Sequence, residues 1–154
     1  MALKMASIVA VCTSKEKGTA KTPVPTGEFR INCGLVGDAH AGPGNPVREV
    51  SLLARESIRK MNRAGFDFKP GDFAENLTTE GIDLVSLPIG TKLRVGKTVV
   101  LQVTQIGKKC HTGCAIFKQV GSCIMPKEGV FARVVRGGEI KPEDRISLMA
   151  SKGK

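Results

Sequence analysis

At 154 residues, the chain has room for one domain, and a domain of this size buries enough surface to stand without disulfides. Its 41% hydrophobic and 25% charged residues fit a soluble globular protein. With no Trp or Tyr, only six Phe and a net charge of +10, it is poorly equipped to stack single-stranded bases but well suited to an anionic partner.

In chain order, Ala6–Thr13 (ASIVAVCT) is β-branched and short, which predicts a strand. Residues 14–27 (SKEKGTAKTPVPTG) hold two Gly, two Pro and three Lys and read as a long basic loop. Glu28–Cys33 is a second strand candidate, and Gly34–Pro46, with four Gly and two Pro, is irregular. Val50, Leu53, Ala54, Ser57, Ile58 and Met61 then recur at helical spacing, with Arg55, Arg59, Lys60 and Arg63 opposite and Gly65 as the stop. This is the main helix, although Val50–Leu52 can equally be a strand feeding it. Lys69–Gly71 is a turn. Beyond it lie short strand candidates at Leu77–Thr79, Lys92–Val95, Val99–Ile106, Val130–Val135 and Arg145–Leu148. Thr112 caps a short second helix over Gly113–Val120, ended by Gly121. Many short strands and few helices give a β-rich, barrel-like α+β domain. No repeat or linker divides it, so residues 1–154 form one domain, with a core over about 8–148 and a basic tail at 149–154.

The charge is uneven. Residues 31–103 carry nine basic and eight acidic groups, whereas residues 104–126 carry three lysines and no acid. The longest N-terminal apolar run, Met5–Cys12, is broken by Ser7 and falls far short of a membrane span. The expectation is a cytoplasmic protein whose five cysteines are free thiols.

Three stretches can carry chemistry. In GKKCHTGC (Gly107–Cys114), Cys110 follows Lys108 and Lys109 and precedes His111. A thiol reacts as the thiolate, and lowering its pKa by two units takes about 2.7 kcal/mol of preference for the charged form. Exposed charge pairs contribute only about 0.2–1 kcal/mol each, so the two lysines need a helix N-terminus or partial desolvation to assist them. The bland reading is an unreactive loop cysteine. Cys110, His111, Cys114 and Cys123 also offer soft metal ligands, but in no recognised zinc or haem spacing. Second, GDAHAG (Gly37–Gly42) presents Asp38 and His40 on a glycine-rich backbone; the bland alternative is an Asp-stabilised turn. Third, in PGDFAEN (Pro70–Asn76), Glu75 and Asn76 stand side by side after a turn, able to bond a heterocycle or merely to shape the loop. Cys12 and Cys33 sit in strand patterns and read as core residues.

The segments SKEKGTAKTPV, GLVGDAHAGP with REVSLLARESI, PGDFAENLTTEGIDL, LPIGTKLRVG, VTQIGKKCHTGCAIF and VGSCIMPKEGVFARVVRGGEIKPEDRI follow one another in this order. Together, over about Ile8–Leu148, they resemble the MOSC family, the domain found at the C-terminus of molybdenum-cofactor sulfurases, and in particular its small stand-alone bacterial members. The resemblance implies a β-barrel-like fold and makes Cys110 the family's characteristic cysteine. That cysteine is proposed to carry a persulfide in some members and ligates molybdenum in molybdenum-enzyme relatives. Asp38, His40, Glu75 and Asn76 fall on family motifs. Glu143, in the turn KPED (Lys141–Asp144), stands where the family usually has Gly, which bears on the geometry of that turn.

Two readings follow from the resemblance. In the first, the chain is a sulfur carrier or sulfur transferase that accepts a persulfide from a cysteine desulfurase or a molybdenum-cofactor biosynthesis protein and serves a molybdoenzyme acceptor. In the second, it binds the molybdenum cofactor, or is a partner-dependent reductase component, with Cys110 as the metal's thiolate ligand. Lys15, Lys17 and Lys21 are candidate donors to the pterin phosphate. Pyridoxal phosphate, mentioned for the family as a whole, belongs to the desulfurase domain of the larger sulfurases, and no site for it is expected here. Neither a membrane nor a nucleic acid is expected as a partner.

Overall fold

The computed structural model describes residues 6–15, 20–38, 49–63, 65–107 and 129–149. The strands are β1 (Ser7–Thr13), β2 (Thr22–Val24), β3 (Gly27–Arg30), β4 (Gly34–Leu35) and β5 (Val50–Ala54). The helix α1 (Arg55–Asn62) follows, then β6 (Leu77–Glu80), β7 (Lys92–Val95), β8 (Val99–Ile106), β9 (Val130–Arg136), β10 (Gly138–Ile140) and β11 (Ile146–Leu148). Eight strands form one sheet in the order β11-β7-β8-β9-β5-β6-β1-β2, and β10-β3-β4 form a second. Every described neighbour pair in both sheets is antiparallel except β5 with β6, which is parallel because α1 carries the chain back between them.

The larger sheet is apolar on both faces near its middle. One face, with Leu52, Leu77, Leu93, Leu101 and Val134, packs against Phe29, Leu35 and Ile140 of the smaller sheet to make the main core. The other face presents Leu53 and Phe131 to Ile58 of α1 and to Phe68 and Phe73, a second cluster. Alternate residues of β5 thus serve opposite cores, and all five are buried.

This explains the main departure from the sequence pattern. The periodicity from Val50 to Met61 suggests one helix, but the helix begins at Arg55. Val50–Ala54 instead lies centrally between β6 and β9, where a continuous apolar run is required. Two further strands occupy stretches read as loop or irregular: β2, which pairs with β1 inside the basic segment, and β4, which pairs with β3; β10, which also pairs with β3, lies where no element was expected. Cys33, read as a strand core residue, lies in the turn after β3 and is only partly buried. The strand candidates at Lys92–Val95 and Val99–Ile106 coincide with β7 and β8. The second helix expected at Gly113–Val120 lies outside the described residues.

The barrel expectation is corrected as well. The described strands do not close into a barrel, since β11 and β2 stand at opposite ends of the strand order. Single backbone bonds bring β1 and the approach to β11 together: Ile8 N–H to Asp144 O at 2.8 Å, Glu143 N–H to Ile8 O at 2.7 Å and Ile146 N–H to Ala6 O at 2.9 Å. The Lys141–Asp144 turn, with Glu143 at φ 78°, bends the chain there and leaves one isolated bridge, Ser7 to Arg145, in place of a ladder.

Candidate functional site

Three strand ends meet where β1 finishes and β5 and β6 begin. Cys12 N–H donates to Asn76 O at 2.7 Å, and Asn76 N–H donates to Ser51 O at 2.9 Å, which aligns the three residues in one row. The Asn76 side chain repeats the connection. Its Oδ1 accepts from Ser51 N–H at 3.0 Å and Ser51 Oγ at 3.2 Å, while its Nδ2 donates to Cys12 O at 3.2 Å. Asn76 is 1% exposed. An amide with both donor and acceptor is the side chain that can join strands on either side of it while buried.

Glu75 precedes it and is fully buried. Its Oε2 accepts from Gly71 N–H at 2.9 Å and from Thr78 Oγ1 at 2.7 Å, whereas its Oε1 has no hydrogen-bond partner. Burial pushes this carboxyl above the usual glutamate range, and the hydrogen bonds from Gly71 and Thr78, with weaker help from the Glu75 and Phe73 amides, only partly oppose it. Beside it, Cys12 is buried, and its thiol is pushed up to about 12, first by burial and then by the Glu75 charge, with Lys21 acting the other way.

Asp38 and Lys21 form a second buried group. The Lys21 ammonium lies 2.8 Å from Asp38 Oδ1, with the two side chains 0% and 1% exposed. Thr13 Oγ1 and Ser14 N–H also donate to that oxygen, each at 3.1 Å, and Lys21 Nζ donates to Ser14 Oγ at 3.0 Å. Lys21 N–H in turn donates to Gly71 O at 2.7 Å, so backbone joins the two groups. Gly71, at φ 93°, passes so close to Lys21 O and Cys12 Sγ that a Cβ there has no room.

Of the residues singled out in the sequence, Asp38, Glu75 and Asn76 therefore converge on the end of β1. Lys21, expected as a donor to a phosphate, joins them as the partner of a carboxylate. Lys15 is exposed. His40, Lys17, Lys108, Lys109, Cys110, His111, Cys114 and Cys123 lie outside the described residues. Sequence reasoning passed over Ser51, Thr13 and Ser14, and read Cys12 as plain core. Ser51 left a signal, a hydroxyl inside the otherwise apolar run VSLLA; the other two left none.

The described chain also fixes where the Cys110 segment leaves and returns. Gly107 N–H donates to Gly129 O at 2.7 Å, closing residues 108–128 at the foot of β8 and β9. Gln105 pairs with Phe131, and Phe131 with Ser51, so the row through Cys12 and Asn76 runs across the sheet to the strand that enters this segment. Four strand spacings separate Gln105 from Cys12 along it, on the order of 19 Å. A separate open groove of about 690 Å³ runs between α1 and residues 81–85 and includes none of the site residues expected from sequence. Among the described residues no three His, Cys, Asp or Glu converge to hold a metal, and the Cys12 thiol, buried and protonated, does not fit as a thiolate ligand.

Residues 36–147 match the model of the MOSC domain, which is most of the chain. This chain belongs to the MOSC domain family. Among solved structures, YiiM from Geobacillus stearothermophilus superposes with a TM-score of 0.73 at 23% identity, covering 94% of this chain and 75% of that one. The YuaD protein of Bacillus subtilis gives a TM-score of 0.76 at 16% identity, with 96% and 98% covered. YiiM from Escherichia coli gives 0.70 at 19% identity, with 98% and 72% covered. At these identities the likeness concerns the fold. No curated protein sequence matches the chain. The MOSC match includes Asp38, Glu75, Asn76 and the Cys110 segment, whereas Thr13, Ser14 and Lys21 precede it.

Proposed function

We propose that this MOSC domain is a sulfur-carrying or sulfur-transfer module of molybdenum-cofactor metabolism, with Cys110 as the working thiol. The observation that carries the reading is the MOSC match over residues 36–147, within which GKKCHTGC sets Cys110 beside two lysines. The state of Cys12 supports it by elimination. A thiol at about 12 is ionised in only about one molecule in 100,000 at pH 7, too rarely to serve as nucleophile or metal ligand.

In this reading the Cys110 thiolate attacks the outer sulfur of a donor persulfide. A new S–S bond forms on Cys110, the donor's S–S bond breaks, and the donor leaves as a thiolate. The reverse exchange with an acceptor thiolate regenerates Cys110, so no net oxidant or reductant is consumed. Lys108 and Lys109 favour the thiolate electrostatically. Because the charge of Lys21 faces Asp38, contact with the phosphate of a pterin cofactor falls to Lys15 and Lys17. The donor is a cysteine desulfurase or a cofactor-biosynthesis protein, and the acceptor is a molybdoenzyme. The alternative keeps Cys110 as a thiolate ligand to the molybdenum of a bound cofactor, which would supply the metal's remaining sulfur ligands.

The test is intact mass spectrometry of the whole chain after incubation with a cysteine desulfurase and cysteine, beside Cys110→Ala. Gain of one sulfur atom by the native chain alone is the expected result. Equal gain in both, or none in either, removes the carrier reading. A molybdenum–pterin mass retained by the native chain and lost from the variant selects the alternative.

A further inference from the structure

Glu75 is the one fully buried carboxylic side chain in the described site that faces no cation within ion-pair distance, and the turn of residues 70–76 is built around it. Gly71 donates its N–H to Glu75 Oε2 at 2.9 Å, and its carbonyl accepts from Ala74 N–H at 2.9 Å and Lys21 N–H at 2.7 Å. The turn is costly to hold at Ala74, an L-residue at φ 67°, while Gly71 takes φ 93° without that penalty. What it covers is Cys12, whose sulfur lies against Gly71. Glu75 Oε1 receives no hydrogen bond. A neutral carboxyl tolerates that isolation far better than a carboxylate, whose charge must reach water or a donor.

We infer that Glu75 is a proton-dependent clasp: neutral, it holds the 70–76 turn shut over Cys12 and against Lys21, and on ionising it releases the turn. Backbone amides of the turn, Gly71 first and then those of Glu75 and Phe73, oppose the burial only in part, and the charged and titratable side chains around it give the charge no outlet. On β1, Cys12 is an uncharged thiol across the neutral range. On the approach to β2, Lys21 is engaged by Asp38 at 2.8 Å. On the turn itself, Asp72 carries the same sign as an ionised Glu75 and accepts from Lys69 N–H at 2.8 Å. The direction of the switch follows from burial. Because the folded carboxyl titrates above its unfolded value, the closed turn is fully stable at low pH and loses stability as pH rises through the folded value. Release of Gly71 frees the Lys21 amide, and with it the strand that leads from the Asp38 group. The inference does not depend on the role of Cys110.

The measurement is amide hydrogen exchange of the full chain at several pH values, corrected for the intrinsic pH dependence of exchange and read in peptides covering 20–24 and 70–78. Protection in those peptides should fall by about tenfold per pH unit between the carboxyl's ordinary value and its raised closed-state value and level off above it, while peptides from β8 and β9 keep theirs. In Glu75→Gln, which cannot ionise, the local loss should vanish. Protection that stays flat with pH, or falls equally in Glu75→Gln, overturns the clasp. If that variant does not fold, the native chain still decides: a fall shared with β8 and β9 means global unfolding and overturns the inference, whereas a fall confined to the two peptides upholds it.

Discussion

Lys21 shows how far a residue's environment can depart from its composition class. As one of three lysines in a Gly- and Pro-rich stretch it reads as part of a basic loop open to an anion, yet its ammonium is 0% exposed and lies 2.8 Å from Asp38. Removing one partner of such a pair strands the other, so Lys21→Met should cost about 3–5 kcal/mol in a denaturant titration. Lys21→Met with Asp38→Asn should recover part of that loss, and additive effects would show that the two side chains do not interact. Glu143 makes the opposite point. It sits at φ 78°, a conformation that costs an L-residue roughly 1–2 kcal/mol and glycine little. The family's usual Gly at this turn is thus the easier residue. Glu143→Gly should stabilise the protein by up to about 1 kcal/mol, after allowance for the greater freedom glycine has when unfolded.

At the scale of elements, β6 carries an unusual load. It runs between β5 and β1 with Leu77, Thr78 and Thr79 each 0% exposed. The two threonines are not equivalent. Thr78 Oγ1 donates to Glu75 at 2.7 Å, whereas Thr79 Oγ1 is buried without a partner. Thr79→Val replaces an unsatisfied hydroxyl with a methyl of the same shape and should be neutral or stabilising. Thr78→Val leaves Glu75 one donor short and should cost about 1–3 kcal/mol. Equal melting temperatures for the two variants would contradict this division. The helix illustrates the same dependence on neighbours. Its first residue, Arg55, bonds Glu80 at 3.1 Å, and Glu56 accepts from Gly81 N–H at 2.9 Å, so α1 is tied to the end of β6 by side chains in place of a capping residue. Its exposed arginines match the sequence pattern, whereas its starting point was set by the sheet.

For the whole molecule, the order of strands matters most. β9 pairs with both β8 and β5, and β1 pairs with β6, so the large sheet forms only when distant parts of the chain meet. Closing such loops is slow, and refolding from denaturant should take milliseconds to seconds, not microseconds. Leu101, fully buried in β8 at the centre of the main core, should cost about 2–5 kcal/mol when changed to Ala. A much smaller loss would mean that the two sheets pack loosely there.

The sequence by itself determined the β-rich α+β class, the strands β7 and β8, the basic character, and the family, because alternation, turn residues and ordered motifs are local signals. It also brought Asp38, Glu75 and Asn76 to notice as chemistry-bearing types beside glycine. Only the tertiary structure decided that β5 is a strand, since a run of apolar residues acquires its period from whatever lies on either side of it. Only the structure paired Lys21 with Asp38, buried Cys12 under Gly71 and left one oxygen of Glu75 without a donor. Each of these depends on contacts between segments far apart in the chain. Burial and hydrogen-bond satisfaction are properties of such contacts and leave no mark on spacing.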